Sequence, residues 1–222
     1  MNKAYLELAT GEIIVAAHGD DISDSDRTKI LTSYLCEHPK CMQVASSALV
    51  VDENLVPYSD FLQKNYWVSE ERTYEFGSGA HVSVGFSAFR RKVMDFFGPL
   101  GDLCPTEDDP IGFRAIILGN IAYLPNKLVK YRKHEGSNSN PEQFVRFPLD
   151  EIYNQNLRDM ELAKKGNILD STALEREKKR LFESKEFRKV YRIYFANRTL
   201  KSLIKVVTYK GLAIKTQNIL YS

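Results

Sequence analysis

An α/β core with a mostly parallel sheet, followed by a helical appendage, is the fold that three observations predict. An apolar run at residues 13–17 ends in the acidic turn Gly19-Asp20-Asp21. A helix-periodic segment and a β-branched run at 42–51 follow it in β-α-β order, which calls for parallel strands. Beyond Pro141 the pattern is helical throughout.

Each element has its own signal. Gly11-Glu12 ends a short helical segment at 4–9, and residues 13–17 read as a buried strand. Ser23, with Asp26 three positions on, predicts a capped helix whose face is Ile30, Leu31, Tyr34 and Leu35 and which Pro39 stops. Residues 53–106 are less regular, with a Gly-Ser-Gly turn at 77–79 and a predicted helix at 88–97 ending at Gly98-Pro99. Asp109 as N-cap and Pro110 in the first position predict a helix to Gly119, and a strand at 121–131 interrupted at Pro125-Asn126 follows. One helix is expected at 142–164. Another should open at Thr172-x-x-Glu175 and carry Phe187, Val190, Tyr191, Tyr194 and Phe195 on one face. The organisation read from this is a catalytic-type core at 1–140 and a helical extension with a basic tail at 141–222.

Composition sets the outer limits. The chain has 222 residues, 43% hydrophobic and 27% charged, enough to bury roughly 70% of its unfolded surface. Its longest apolar run is five residues, so a spanning helix of about 20 is excluded and no signal-peptide pattern opens the chain. The expected location is the cytoplasm, with peripheral contact at the inner face of a membrane. Cys36, Cys41 and Cys104 lack Cys-x-x-Cys spacing and are expected as reduced thiols. Charge is uneven: from Lys185 onward nine Lys or Arg face one acid, a net +8, against −6 for the first 184 residues. Such a tail favours anionic lipid, nucleic acid or an acidic protein surface. Tyr191, Tyr194 and Phe195 follow a core-like helical period, which argues against nucleic acid.

Three stretches carry chemistry. Asp20 and Asp21 end a strand where α/β sheets bind ligands, and their hard oxygens suit Mg²⁺ or Mn²⁺ with a phosphate; they equally suit a turn that caps the next helix. In Glu107-Asp108-Asp109 one acid suffices for a cap, leaving two either as structural anions at a helix start or as a general base. Arg132-Lys133-His134, before Ser137 and Ser139, can bind a phosphate and complete a metal shell, or can be an ordinary polar loop.

Taken together, Gly11-Glu12-Ile13-Ile14-Val15 into Gly19-Asp20-Asp21-Ile22, then Glu107-Asp108 with Arg114 six residues later, then Tyr131-Arg132-x-His134-x-x-Ser137-x-Ser139, resemble glycosyltransferase family 2 over about residues 2–140. The resemblance implies a GT-A nucleotide-sugar transferase sandwich. It implies transfer of a sugar from a nucleoside-diphosphate donor to an acceptor hydroxyl with inversion, in cell-surface polysaccharide or glycan synthesis, with a glycan or lipid-linked acceptor. By matching motif, Asp20 and Asp21 fall at the metal and diphosphate motif, and Asp108, with Glu107, at the catalytic base. His134 falls near the metal or diphosphate, with Arg132 and Ser137 beside the donor diphosphate. The implied cofactor is Mn²⁺ or Mg²⁺, held by Asp20, Asp21 and His134. His18 stands where the Asp-x-Asp-Asp form has its first acid. The likeness begins at about the middle of a typical domain, so the expectation is a C-terminal part, lacking the nucleotide-binding half and inactive alone. The alternative from a different class is an inactive fragment serving as a binding module through its basic helical tail, and contact with an anionic membrane is expected of that tail in either case.

Overall fold

A computed structural model describes residues 4–57, 71–78, 83–133 and 148–197. After a wide helical turn at Ala4–Leu8, the chain forms β1 (Ile13–Val15), β2 (Ile22–Ser23), α1 (Arg27–Glu37), β3 (Cys41–Val51) and β4 (Arg72–Tyr74). A 3-10 turn at Val84–Phe86 leads into β5 (Ser87–Arg90), α2 (Lys92–Phe97), α3 (Asp108–Leu118) and β6 (Asn120–Arg132). Two helices close the described chain, α4 (Leu149–Lys165) and α5 (Ser171–Asn197).

The α/β class is as expected, but the sheet is mixed rather than mostly parallel. Its order is β1-β5-β3-β6-β2, with β4 also on β6, and among the described residues only the neighbours β3 and β6 pair in parallel. The expectation failed because β1 and β3, although parallel to each other, are separated by β5, which is antiparallel to both. That strand lies in the stretch read as one helix at 88–97. Its first half is drawn into the centre of the sheet, where Ser87, Ala88 and Phe89 are buried, and only Lys92–Phe97 coils. Gly98, at φ 71°, ends that helix in a conformation glycine adopts without strain.

Other boundaries move for local reasons. Ser23 pairs with Val129 in the sheet instead of capping, and α1 begins at Arg27. Helix α3 begins at Asp108 with Glu107 in the cap position, so Asp109 is not the cap. At α5, Asp170 rather than Thr172 caps: its Oδ1 accepts the Ala173 N–H at 2.7 Å. Strand β6 is continuous, and Pro125 and Asn126 form a bulge in it, since pairing jumps from Ser46 opposite Leu124 to Ser47 opposite Lys127. Of the helix expected at 142–164, residues 142–147 lie outside the described residues.

Alternation along the strands divides the core. Val44, Ala88 and Ala122 face α1, where Leu31 and Leu35 are fully buried, each contributing about 1.5–3 kcal/mol. Ala45, Phe89, Ile121 and Tyr123 face α3, in a cluster that also takes Met160 and Ala163 from α4 and Leu174 from α5. The three cysteines are free thiols. Among the described residues no helix is long and apolar enough to cross a membrane.

Candidate functional site

Beyond β1 the chain leaves the sheet and turns at residues 18–21, with the Asp21 N–H directed at the His18 carbonyl. The short pairing of Ile22 with Lys130 then sets Asp21 beside the end of β6, where its Oδ1 accepts the Arg132 N–H at 3.0 Å. The other carboxylate oxygen, Oδ2, is buried with no hydrogen-bond partner among the described residues, and the side chain is 4% exposed. Burial pushes the Asp21 carboxyl above the usual carboxylate range; neighbouring Asp20 adds to this, and the Arg132 N–H, His18 and Arg27 oppose it.

His18 joins the two acidic motifs. Its Nδ1 lies 3.8 Å from Asp21 Oδ2 and its Nε2 3.9 Å from Glu107 Oε1. The ring fits there because residue 85 is glycine: a Cβ at Gly85 would meet His18 Nδ1 at 2.4 Å. The 3-10 turn containing Gly85 organises the rest. Its Val84 N–H donates to Asp108 Oδ1 at 2.6 Å. Its Gly85 carbonyl accepts from Arg27 Nη2 at 2.8 Å, and the same nitrogen reaches the Ala16 carbonyl. Arg27 is buried beneath the acidic turn; Asp21 supports its charged form against the burial that lowers its pKa. Tyr5 walls the site from the N-terminal turn, packed edge-on against Phe89, and its phenol is driven up by burial and then by Glu107 and Asp108.

The structure therefore brings Asp20, Asp21, Glu107, Asp108 and Arg132 to one end of the sheet. His134 and Ser137 lie outside the described residues. Arg27, His18 as a bridge, and the turn at Val84–Phe86 are additions that sequence reasoning missed. Arg27 had a signal, since a cation in the first turn of a helix opposes the dipole and needs another reason to be there. Asp109 instead accepts from Arg188 Nη1 at 3.2 Å.

His18, Asp20 and Asp21 offer one ligand atom each, all within 4.8 Å of one another. Two carboxylates and an imidazole suit Mn²⁺ or Mg²⁺, and the orphaned Asp21 oxygen is the acceptor that such an ion would satisfy. No protein-family model matches the chain, and no curated protein matches it.

Gly85→Ala tests the bridge. The imidazole is 30% exposed and can swing outward, so stability is expected to change by less than about 1 kcal/mol. Mn²⁺ affinity should fall about tenfold, equivalent to ~1.4 kcal/mol. A calorimetric Mn²⁺ titration beside urea unfolding measures both, and unchanged affinity would remove His18 from the ligand set.

Proposed function

We propose that the chain carries the metal and acceptor-activating groups of an inverting glycosyltransferase that moves a sugar from a nucleoside-diphosphate donor to an acceptor hydroxyl. The observation that carries this reading is His18 lying between the Asp20 and Asp21 turn and the Glu107 and Asp108 pair, so that a diphosphate at the first and a base at the second would face one reacting carbon. A divalent cation held by Asp20, Asp21 and His18 would neutralise charge on the leaving diphosphate. Asp108 takes the proton of the acceptor hydroxyl as its oxygen bonds to the anomeric carbon. The carbon–oxygen bond to the donor breaks in the same step, and its electron pair leaves with the diphosphate. One displacement inverts the carbon. Glu107 orients His18, and Arg132 adds positive charge at the donor side, where the resemblance also puts His134 and Ser137. The proposed acceptor is a glycan or lipid-linked saccharide. Contact with an anionic membrane would fall to residues 198–222, because Lys185 and Lys189 already pair with Asp150, and Arg188 with Asp109.

Titrating Mn²⁺ with UDP, GDP or dTDP into the protein and into Asp20→Asn/Asp21→Asn tests the reading. At least a tenfold loss in the variant is expected; equal affinities would sink it. Acidity adds a second readout. Because Asp21's folded-state pKa is raised, its contribution to stability is complete below its unfolded pKa and is lost as pH rises through the folded one. In chelator the wild type should therefore lose stability relative to Asp21→Asn as pH rises through that range, and Mn²⁺ should restore it.

A further inference from the structure

Arg27 sits where its own electrostatics argue against it. It opens α1, where a cation opposes the positive end of the helix dipole, and at 2% exposure its charge is withdrawn from water. A well-packed apolar side chain would fill the same space at a lower cost in stability. The bonds it makes show what the guanidinium does there.

Those bonds reach both halves of the candidate site. On one side Nη2 donates to the Ala16 carbonyl and Nη1 to the Ser23 hydroxyl at 3.3 Å. Ala16 and Ser23 bracket the turn that carries His18, Asp20 and Asp21. On the other side Nη2 donates to the Gly85 carbonyl at 2.8 Å and lies 3.5 Å from that of Ser87. Gly85 follows Val84, whose N–H holds Asp108 Oδ1 at 2.6 Å, and the Ser87 carbonyl also accepts the Ala16 N–H at 3.2 Å. One side chain thus joins the strand end two residues before His18 to the turn that anchors the proposed base. Its planar fork of donors spans these acceptors together, which the point charge of an ammonium does not.

We propose that Arg27 is a positioning residue: it fixes the separation between the metal-binding turn and the Val84 anchor of Asp108. The geometry of its bonds stands alone, whereas its part in turnover rests on the transferase reading. A displacement that must align acceptor hydroxyl, carbon and leaving diphosphate tolerates little error, and a shift of about 1 Å can slow it about 10²-fold. Loss of the clamp therefore falls on turnover. The metal ligands of the 18–21 turn keep their affinity, because they neighbour one another in that turn and Asp21 is also held by the Arg132 N–H.

The experiment compares wild type, Arg27→Lys and Leu31→Ala. Lysine keeps the charge but not the fork. Leu31, one helical turn on and fully buried, is the control for lost stability. Exchange of the Val84 N–H, followed by NMR in chelator and normalised to global stability from urea unfolding, should be at least tenfold faster in Arg27→Lys than in Leu31→Ala. With Mn²⁺ and a nucleotide sugar, Arg27→Lys should lose at least tenfold in kcat while KM and Mn²⁺ affinity stay within threefold; Leu31→Ala should keep kcat within twofold. In an Asp108→Asn background the same substitution should cost less than threefold, because the base it positions is gone. Unchanged Val84 exchange, unchanged kcat, or a full tenfold loss persisting beside Asp108→Asn would make Arg27 a structural brace and overturn the proposal. Should Arg27→Lys not fold, Ser23→Ala removes the Nη1 bond alone and should lower kcat about threefold with Mn²⁺ affinity kept; unchanged kcat overturns the proposal equally. A wild type that binds no Mn²⁺ sinks the transferase reading, whereas Val84 exchange in chelator is independent of it, so the two failures are distinguishable.

Discussion

Asp108→Asn is expected to lower sugar transfer about 10²- to 10⁴-fold without disturbing the fold. The carboxylate accepts the Val84 N–H through Oδ1 at 2.6 Å, and an asparagine Oδ1 can keep that bond. What the substitution removes is the ability to take a proton, together with a first-turn anion worth about 0.3–1 kcal/mol to α3. Initial rates of nucleoside diphosphate release, with Mn²⁺ and a panel of nucleotide sugars and acceptors, measure the first, and a thermal melt measures the second. Transfer within a few-fold of wild type would mean that Asp108 is a structural anchor for the 3-10 turn. Glu107→Gln separates the neighbours: Glu107 meets His18 at 3.9 Å, so under the proposed function its loss should weaken Mn²⁺ binding more than it slows the proton transfer.

The elements legible in the sequence were those whose signal is local. The strands at Ile13–Val15, Cys41–Val51 and Asn120–Arg132 and the helix after Glu107 follow from apolar runs and their punctuation. The place of Ser87–Arg90 was not legible, because insertion between β1 and β3 is decided by partners more than 40 residues upstream, and the helical periodicity after it masks the strand. The site divides in the same way. Asp20, Asp21, Glu107 and Asp108 stand out as acids at element ends, whereas Val84 and Gly85 belong to no motif and matter through a backbone N–H and a missing Cβ. Asp109 was misread as a cap because its partner, Arg188, lies 79 positions away.

The same blindness to distant partners hid a fully buried ion pair between α3 and α4. Arg114 and Asp159 are both 0% exposed and meet through two bonds, Nε to Oδ2 at 2.8 Å and Nη2 to Oδ1 at 3.0 Å. Every neighbour reinforces the pair: the Gly98 carbonyl accepts from Arg114 Nη1 at 2.8 Å, and Gln155 Nε2 donates to Asp159 Oδ1 at 2.9 Å. Gln155 Oε1 in turn accepts the Gly101 N–H at 2.8 Å, so α3, α4 and the loop after α2 share one network. Asp159→Ala strands a guanidinium in the core and should cost about 3–5 kcal/mol, read from urea unfolding with an unchanged m-value. Arg114→Met/Asp159→Leu removes both charges while keeping most of the volume, and it should recover most of that loss, since desolvation of a buried pair offsets much of its attraction. A single-variant cost below about 1 kcal/mol would show that α4 can slide and hydrate Arg114. A double variant as unstable as the single one would show instead that the hydrogen bonds to Gly98 and Gln155, rather than the charges, hold α4 against α3.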